Sequence, residues 1–216
     1  GLILDALADS GGWEITVVVF TSDHGDQCGS HGLRSKGPWN YEETMRIPLY
    51  IVAPGVTAAG STTDAMFSHV DLARTWAGFS GAGEDRLEGW PGRQMSGVLA
   101  DPSTDGRPEI LFAQDWAWYD GLLETRYASR GVFDGRFKYC RYYGIGGSST
   151  TRGTPITSAK QVDRDAAFED HEHEFYDLQE DPHELVNLAM DRGRRQEVRR
   201  RFEDLLELER QEFRDR

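Results

Sequence analysis

The sequence predicts an α/β sheet domain followed by a small antiparallel sheet with a C-terminal helix. Three observations carry this expectation. Thr16-Val17-Val18-Val19-Phe20 is an unalternating run of β-branched and aromatic residues, the pattern of a strand buried on both faces, as in a parallel sheet. Gly131 to Tyr139 sets alternating aromatic and polar residues around Asp134-Gly135, which fits a hairpin closed by a two-residue type I′ turn. Val198, Phe202, Leu205, Leu206 and Phe213 recur at helical spacing near the end of the chain, as on the buried stripe of a helix. Residues 1–105 are assigned to the α/β domain and 106–216 to an α+β subdomain.

Composition bounds the rest. The 216 residues are 38% hydrophobic and 11% aromatic, enough for a real core and against global disorder. A formal net charge of -13 argues against nucleic acid as a partner, because phosphate backbones require basic patches. No apolar stretch approaches the roughly 20 residues that span a bilayer, so no membrane partner is expected. Two cysteines, Cys28 and Cys140, do not make a disulfide framework and are read as free thiols.

In chain order, Gly1-Leu2-Ile3-Leu4-Asp5-Ala6-Leu7 lies inside an apolar helical pattern without an N-cap or a leader. The native N-terminus is therefore expected upstream, and the compartment (cytoplasmic, periplasmic or secreted) stays open. Ser10-Gly11-Gly12 ends this helix. After the first strand, Ile47 to Ala53 is the second strand candidate, and the pair reads as a half-sheet cut from a larger α/β domain. Its apolar faces and unpaired edge predict self-association. The polar segment from Gly25 to Arg46 is long for a connection, and such loops are usually functional; Trp39 and Tyr41 anchor it or line a pocket. Ser68 to Gly78 reads as a helix capped by Ser68 or Asp71, with Leu72, Trp76 and Phe79 inward.

Gly81 to Arg107 is rich in Gly, Pro, Asp and Ser, a boundary composition. Glu109 to Tyr119 is β-like, and Val132, Phe137 and Tyr139 suggest a half-buried antiparallel sheet. Gly144 to Ser158 reads as loop and Phe168 to Leu178 as strand. Asp181-Pro182-His183-Glu184 predicts a helix start with a capping box. In the last helix Arg199, Arg200 and Arg201 come early and Glu207 and Glu209 late, against the macrodipole, so packing of the apolar stripe must hold it.

The chemistry gathers after the first strand. Ser22, Asp23, His24 and Gly25 fall at its carboxyl end, the edge where open α/β sheets bind ligands. Asp23 offers a hard oxygen and His24 a neutral imidazole, both usable as metal ligands. His31 and Lys36 follow in the same loop. Farther on, His171 and His173 alternate along a strand, which would allow metal binding; the surrounding Glu169, Asp170, Glu172 and Glu174 favour a solvated acidic face.

Ser22-Asp23-His24-Gly25-Asp26, Gly29-Ser30-His31-Gly32-Leu33, Lys36-Gly37, Tyr41-Glu42-Glu43 and Arg46-Ile47-Pro48-Leu49 with Ala53-Pro54-Gly55 resemble the second half of a type I sulfatase. Ser68-His69-Val70-Asp71-Leu72 and Phe175-Tyr176-Asp177-Leu178 with Asp181-Pro182 extend the match. These enzymes are metal-dependent ester hydrolases of the alkaline-phosphatase-like group. The resemblance implies that residues 1–105 are the C-terminal part of the catalytic domain of a sulfate monoester hydrolase. It further implies that Asp23 and His24 hold a divalent metal, usually calcium, completed by ligands outside this chain. By the same resemblance Lys36 is expected to contact the sulfate group, and His31 either to line the site or to bond to the loop backbone. The family's nucleophile is a formylglycine made in a C/S-x-P-S/A-R motif. Neither Cys28-Gly29-Ser30-His31 nor Cys140-Arg141-Tyr142 matches it, so the chain alone is expected to be inactive. The expected partner is a small-molecule or carbohydrate sulfate ester. Two alternatives remain: a phosphonate or phosphate ester hydrolase of the same superfamily, and a non-catalytic binding or assembly module.

Overall fold

The computed structural model describes residues 1–37, 39–114, 128–143, 150–151, 154–155 and 164–212. In chain order the elements are α1 (Leu2–Asp9), β1 (Val18–Thr21), α2 (Glu42–Met45), β2 (Leu49–Val52), α3 (His69–Phe79), α4 (Ser96–Ala100) and β3 (Ile110–Gln114). β4 (Ala128–Phe133), β5 (Phe137–Tyr143), the short β6 (Thr150–Thr151) and β7 (Thr154–Pro155), β8 (Glu172–Asp177) and α5 (Arg195–Glu212) follow. The elements form two compact units: Gly1–Asp23 with Ile47–Pro108, and His24–Arg46 with Glu109–Arg216. Most of Gly144–Ser158, residues 115–119 of the predicted Glu109–Tyr119 segment, and Phe213 lie outside the described residues.

In the first unit β1 and β2 pair antiparallel, Val18 opposite Val52 and Thr21 opposite Leu49. The expected burial of β1 on both faces is corrected here: Phe20 is 63% and Tyr50 68% exposed, and their rings meet at 5.9 Å. An unalternating apolar run reports a strand that both faces could cover; it carries no information about the direction of its neighbour. α1 likewise buries none of its residues. α3 is better held. Ser68 is its N-cap, with its backbone N–H on the Asp71 carboxylate at 2.9 Å. The same buried carboxylate accepts the Arg93 N–H at 2.7 Å and pairs with the Arg107 guanidinium at 2.6 Å. Asp71 and Thr75 are the buried positions of α3, while the expected inward residues Leu72, Trp76 and Phe79 are half-buried. Polar pins, not an apolar stripe, fix this helix.

The second unit is built on an antiparallel sheet of order β3-β4-β5-β8. The sequence suggested a half-buried sheet; β4 and β5 are instead buried along almost their whole length, because both faces are covered. On one face Val132, Tyr139 and Phe175 pack with Phe168 and with Val198, Phe202 and Leu205 of α5. Arg141 on that face is fully buried and bonds the Glu209 carboxylate at 2.7 Å, tying the far end of α5 to the sheet. Neighbouring residues point the other way, by the two-residue period of a strand: Ser129, Lys138, Tyr142 and Tyr176 meet residues 40–42. The long polar loop thus uses the second face of the sheet as its own core.

Two local expectations change. The β4–β5 turn closes with the Asp134 N–H on the Phe137 carbonyl, and the Asp134 carboxylate takes the N–H groups of Arg136 and Phe137. Gly135, with φ 94°, is the one left-handed residue of the turn. A type I′ turn over Asp134-Gly135 would need two. Asp181 to Glu184 does not start a helix. Glu184 sits at φ 52° with its carboxylate drawn away from the local backbone to Lys138 and to the Glu42 N–H, so the capping box cannot form.

Candidate active site

The loop from His24 to Arg46 is tightly and unusually folded. Cys28, His31 and Ser35 adopt φ of 48°, 54° and 62°, a left-handed conformation that costs residues with a Cβ. Backbone bonds offset the cost: Gln27 N–H to Ser35 O at 3.0 Å, Gly29 N–H to Leu33 O at 2.9 Å, and Gly25 N–H to Thr44 O at 2.9 Å. Gly25 is required for close approach: a Cβ there would run into the Glu43 carbonyl. Thr44, buried in α2, donates its hydroxyl to the Lys36 carbonyl at 3.1 Å and accepts the amide of the fully buried Gln27 at 2.7 Å.

Beneath the loop lies a buried ionic cluster. The Lys138 ammonium, 1% exposed, reaches Glu42 at 2.6 Å and Glu184 at 2.9 Å, and donates to the Asn40 carbonyl at 3.1 Å. The other Glu184 oxygen accepts the Glu42 N–H at 2.7 Å. Burial works against the Lys138 charge, but Glu184 and Glu42 overcome it and its pKa is raised. Burial and the second carboxylate raise Glu184 against the pull of Lys138. Both directions follow from two carboxylates sharing one cation. Asn40 donates to the Ser129 hydroxyl at 3.1 Å and to the Tyr142 hydroxyl at 3.3 Å, and Tyr142 donates to Glu174 at 2.7 Å. Burial raises Glu174 as well.

Of the residues singled out in the sequence, Lys36 is exposed in the second unit, and Asp23, the last residue of the first unit, is exposed too. The Nδ1 of His24 lies 2.6 Å from the Gly25 carbonyl. His31 stacks on Tyr41, ring centroids 3.7 Å apart and nearly parallel, and its Nε2 lies 3.8 Å from Glu43. Tyr41 therefore anchors the loop, between His31 and Tyr176. His171 and His173 do not lie on a solvated acidic face: His171 is buried, and His173 bonds Tyr139 and the Phe168 carbonyl at 2.8 Å each. Burial lowers the His173 pKa to about 4. Sequence reasoning missed Thr44, Lys138 and Glu184. A lysine in the middle of an otherwise aromatic strand, Phe137-Lys138-Tyr139, was the available signal for one of them.

The donor chemistry of Asp23 and His24 suits a divalent cation, but two donors fall short of the 6–8 oxygens of a calcium site. Among the described residues, no group of three or more His, Cys, Asp or Glu could hold a metal ion.

Residues 1–82 match the family model described as Sulfatase. Along 94% of its length the chain is 30% identical to an arylsulfatase of Chlamydomonas reinhardtii, of which it spans 31%. Over these spans the chain is similar to the type I sulfatases. Among solved structures, one in complex with its substrate D-glucosamine-2-N,6-O-disulfate superposes on the whole chain with a TM-score of 0.72 at 25% identity, and 38% of that protein is covered. The phosphonate monoester hydrolase of Agrobacterium radiobacter superposes on 98% of this chain with a TM-score of 0.71 at 25% identity, again over 38% of its length. The chain thus spans about a third of the length of these relatives, and its mixed fold of antiparallel sheets with a C-terminal helix matches theirs.

Proposed function

We propose that the complete polypeptide carrying this chain hydrolyses sulfate monoesters, and that Lys36, His31, Asp23 and His24 belong to its active site. The observation that carries the reading is Lys36. It is an exposed ammonium on a residue whose carbonyl is held by the hydroxyl of the buried Thr44, inside the span matched by the sulfatase family. The ammonium neutralises the sulfate anion and stabilises charge developing on the leaving oxygen. His31, stacked on Tyr41 and 3.8 Å from Glu43, is assigned to the wall of the same site. Asp23 and His24 supply two donors to a divalent cation, calcium in this reading, whose remaining ligands lie outside these residues. When bound, such a cation neutralises and polarises the sulfate. The substrate class is a small-molecule or carbohydrate sulfate ester; a neighbour of this fold binds a disulfated glucosamine.

A phosphonate or phosphate ester is the second reading, favoured by the likeness to the phosphonate monoester hydrolase, since a lysine and a cation serve either anion. Parallel assays of the complete enzyme on an aryl sulfate and an aryl phosphonate ester test both. Sulfate turnover above phosphonate turnover, reduced about 10²–10³-fold by Lys36→Ala, is the expected result. Preference for the phosphonate would favour the second reading. Normal sulfate turnover in Lys36→Ala would remove the lysine from the site, and absence of both activities would leave a binding module.

A further inference from the structure

We propose that Thr44 is the positioning residue for Lys36, acting through its hydroxyl. The inference rests on the reading of Lys36 as the group that binds the ester's anion. The lysine side chain is exposed, so packing does not aim it; its reach is set from its own backbone. That backbone is left-handed on both sides, Ser35 at φ 62° and Gly37 at φ 58°; at Gly37 this costs nothing, but at Ser35 it is uphill. Residues with a Cβ leave the left-handed region unless something holds them there.

Two bonds do the holding. Gln27 N–H meets the Ser35 carbonyl at 3.0 Å, and the Thr44 hydroxyl meets the Lys36 carbonyl at 3.1 Å. Thr44 also organises the first of these. Its hydroxyl oxygen accepts the Gln27 side-chain amide at 2.7 Å, and its carbonyl accepts the Gly25 N–H at 2.9 Å, next to His24. One buried residue therefore clamps both the start of the loop and the lysine in its middle. A hydroxyl has one proton and can accept as well as donate, which is what this position uses; valine has the same shape and can do neither.

The clamp is itself rooted. Thr44 lies on the four-residue α2, whose first residue, Glu42, is held through its carboxylate by Lys138 and through its N–H by Glu184. All of these groups belong to the second unit. The line runs from the buried Lys138–Glu184 pair through Glu42 and Thr44 to the Lys36 carbonyl, and each link is a named hydrogen bond or ion pair, or the short helix itself.

The test uses the complete enzyme with an aryl sulfate substrate and the variants Thr44→Val, Thr44→Ser, Lys36→Ala and Thr44→Val/Lys36→Ala, with folding checked by thermal denaturation. Thr44→Val should lower kcat about 10- to 100-fold, the effect of misplacing a charge by an ångström or less. KM should rise by less than kcat falls, because the lysine meets the anion in the ground state but the leaving-group charge only in the transition state. Thr44→Ser should restore most of the rate. In the Lys36→Ala background Thr44→Val should cost nothing more, since the hydroxyl acts through the lysine. A folded Thr44→Val enzyme with normal kcat, beside an impaired Lys36→Ala enzyme, would overturn the proposal alone. So would a Thr44→Val loss that persists in full without the lysine, or a Thr44→Ser enzyme as slow as Thr44→Val. Normal turnover in Lys36→Ala would instead overturn the reading of the lysine on which the proposal stands.

Discussion

At the scale of single residues, the most consequential side chain in the second unit is Lys138, and it touches no part of the expected chemistry. Its ammonium is shared by Glu42 and Glu184. Removing one partner of a buried ion pair leaves a charge that neither water nor protein compensates, at a cost of about 3–5 kcal/mol. Lys138→Met should therefore lose stability of that order in urea denaturation. Adding Glu184→Gln should recover part of it, because the second change removes one of the two stranded carboxylates. A single Lys138→Met variant as stable as the parent would mean that the cluster is not charged as described. Glu184 also marks a limit of sequence reading. Its place three residues after Asp181 is a capping-box spacing, and local pattern alone cannot reveal that a lysine 46 positions earlier has claimed its carboxylate. Asp23, His24, His31 and Lys36 could be singled out because they cluster in a few residues after a strand; Thr44 could not, because its role is a set of hydrogen bonds and not a motif.

At the scale of elements, β8 and α5 share a titratable group. His173 is neutral in this fold: Nε2 donates to the Phe168 carbonyl and Nδ1 accepts the Tyr139 hydroxyl, while burial, with Arg195, Arg141 and His171 nearby, holds its pKa down to about 4 from an ordinary 6.5. The folded state thus binds a proton less readily than the unfolded chain. The contribution of His173 is fully present above pH 6.5 and is lost progressively as the pH falls toward 4. Denaturation midpoints measured across that window should decline for the parent and decline less for His173→Gln. Equal slopes would assign the acid sensitivity to other groups. The helical stripe of α5 and the hairpin were legible because their periods are local. The two-sided burial of β4 and β5 was not, since the cover on the second face comes from a loop almost a hundred residues earlier in the chain.

At the scale of the whole molecule, the first unit carries apolar surface that its own residues do not cover: Leu2, Ile3, Ile15, Phe20 and Tyr50 are all exposed. Patches of this kind associate in water. The 216-residue chain alone should show a concentration-dependent rise in apparent mass on size exclusion, diminished by Phe20→Ser; a monomer at all concentrations would show that these faces are not sticky. The same chain should bind calcium weakly by calorimetry, because Asp23 and His24 give too few donors to compete with water, and should release no detectable sulfate from an aryl ester. Tight calcium binding abolished by Asp23→Ala would mean that these 216 residues hold a whole metal site.

The contact between Glu42 and Glu184 joins positions 142 residues apart, and that distance sets an order of events. Chains are made from the N-terminus at about 5–20 residues per second, so the motif-bearing loop leaves the ribosome well before the residue that anchors it. Until then its left-handed turns have local bonds but no foundation, and closing so long a loop is the slow kind of folding step. The lysine is therefore presented in its final geometry only after Glu184 has been made, and a chain interrupted before Glu184 would carry the motif without the shape.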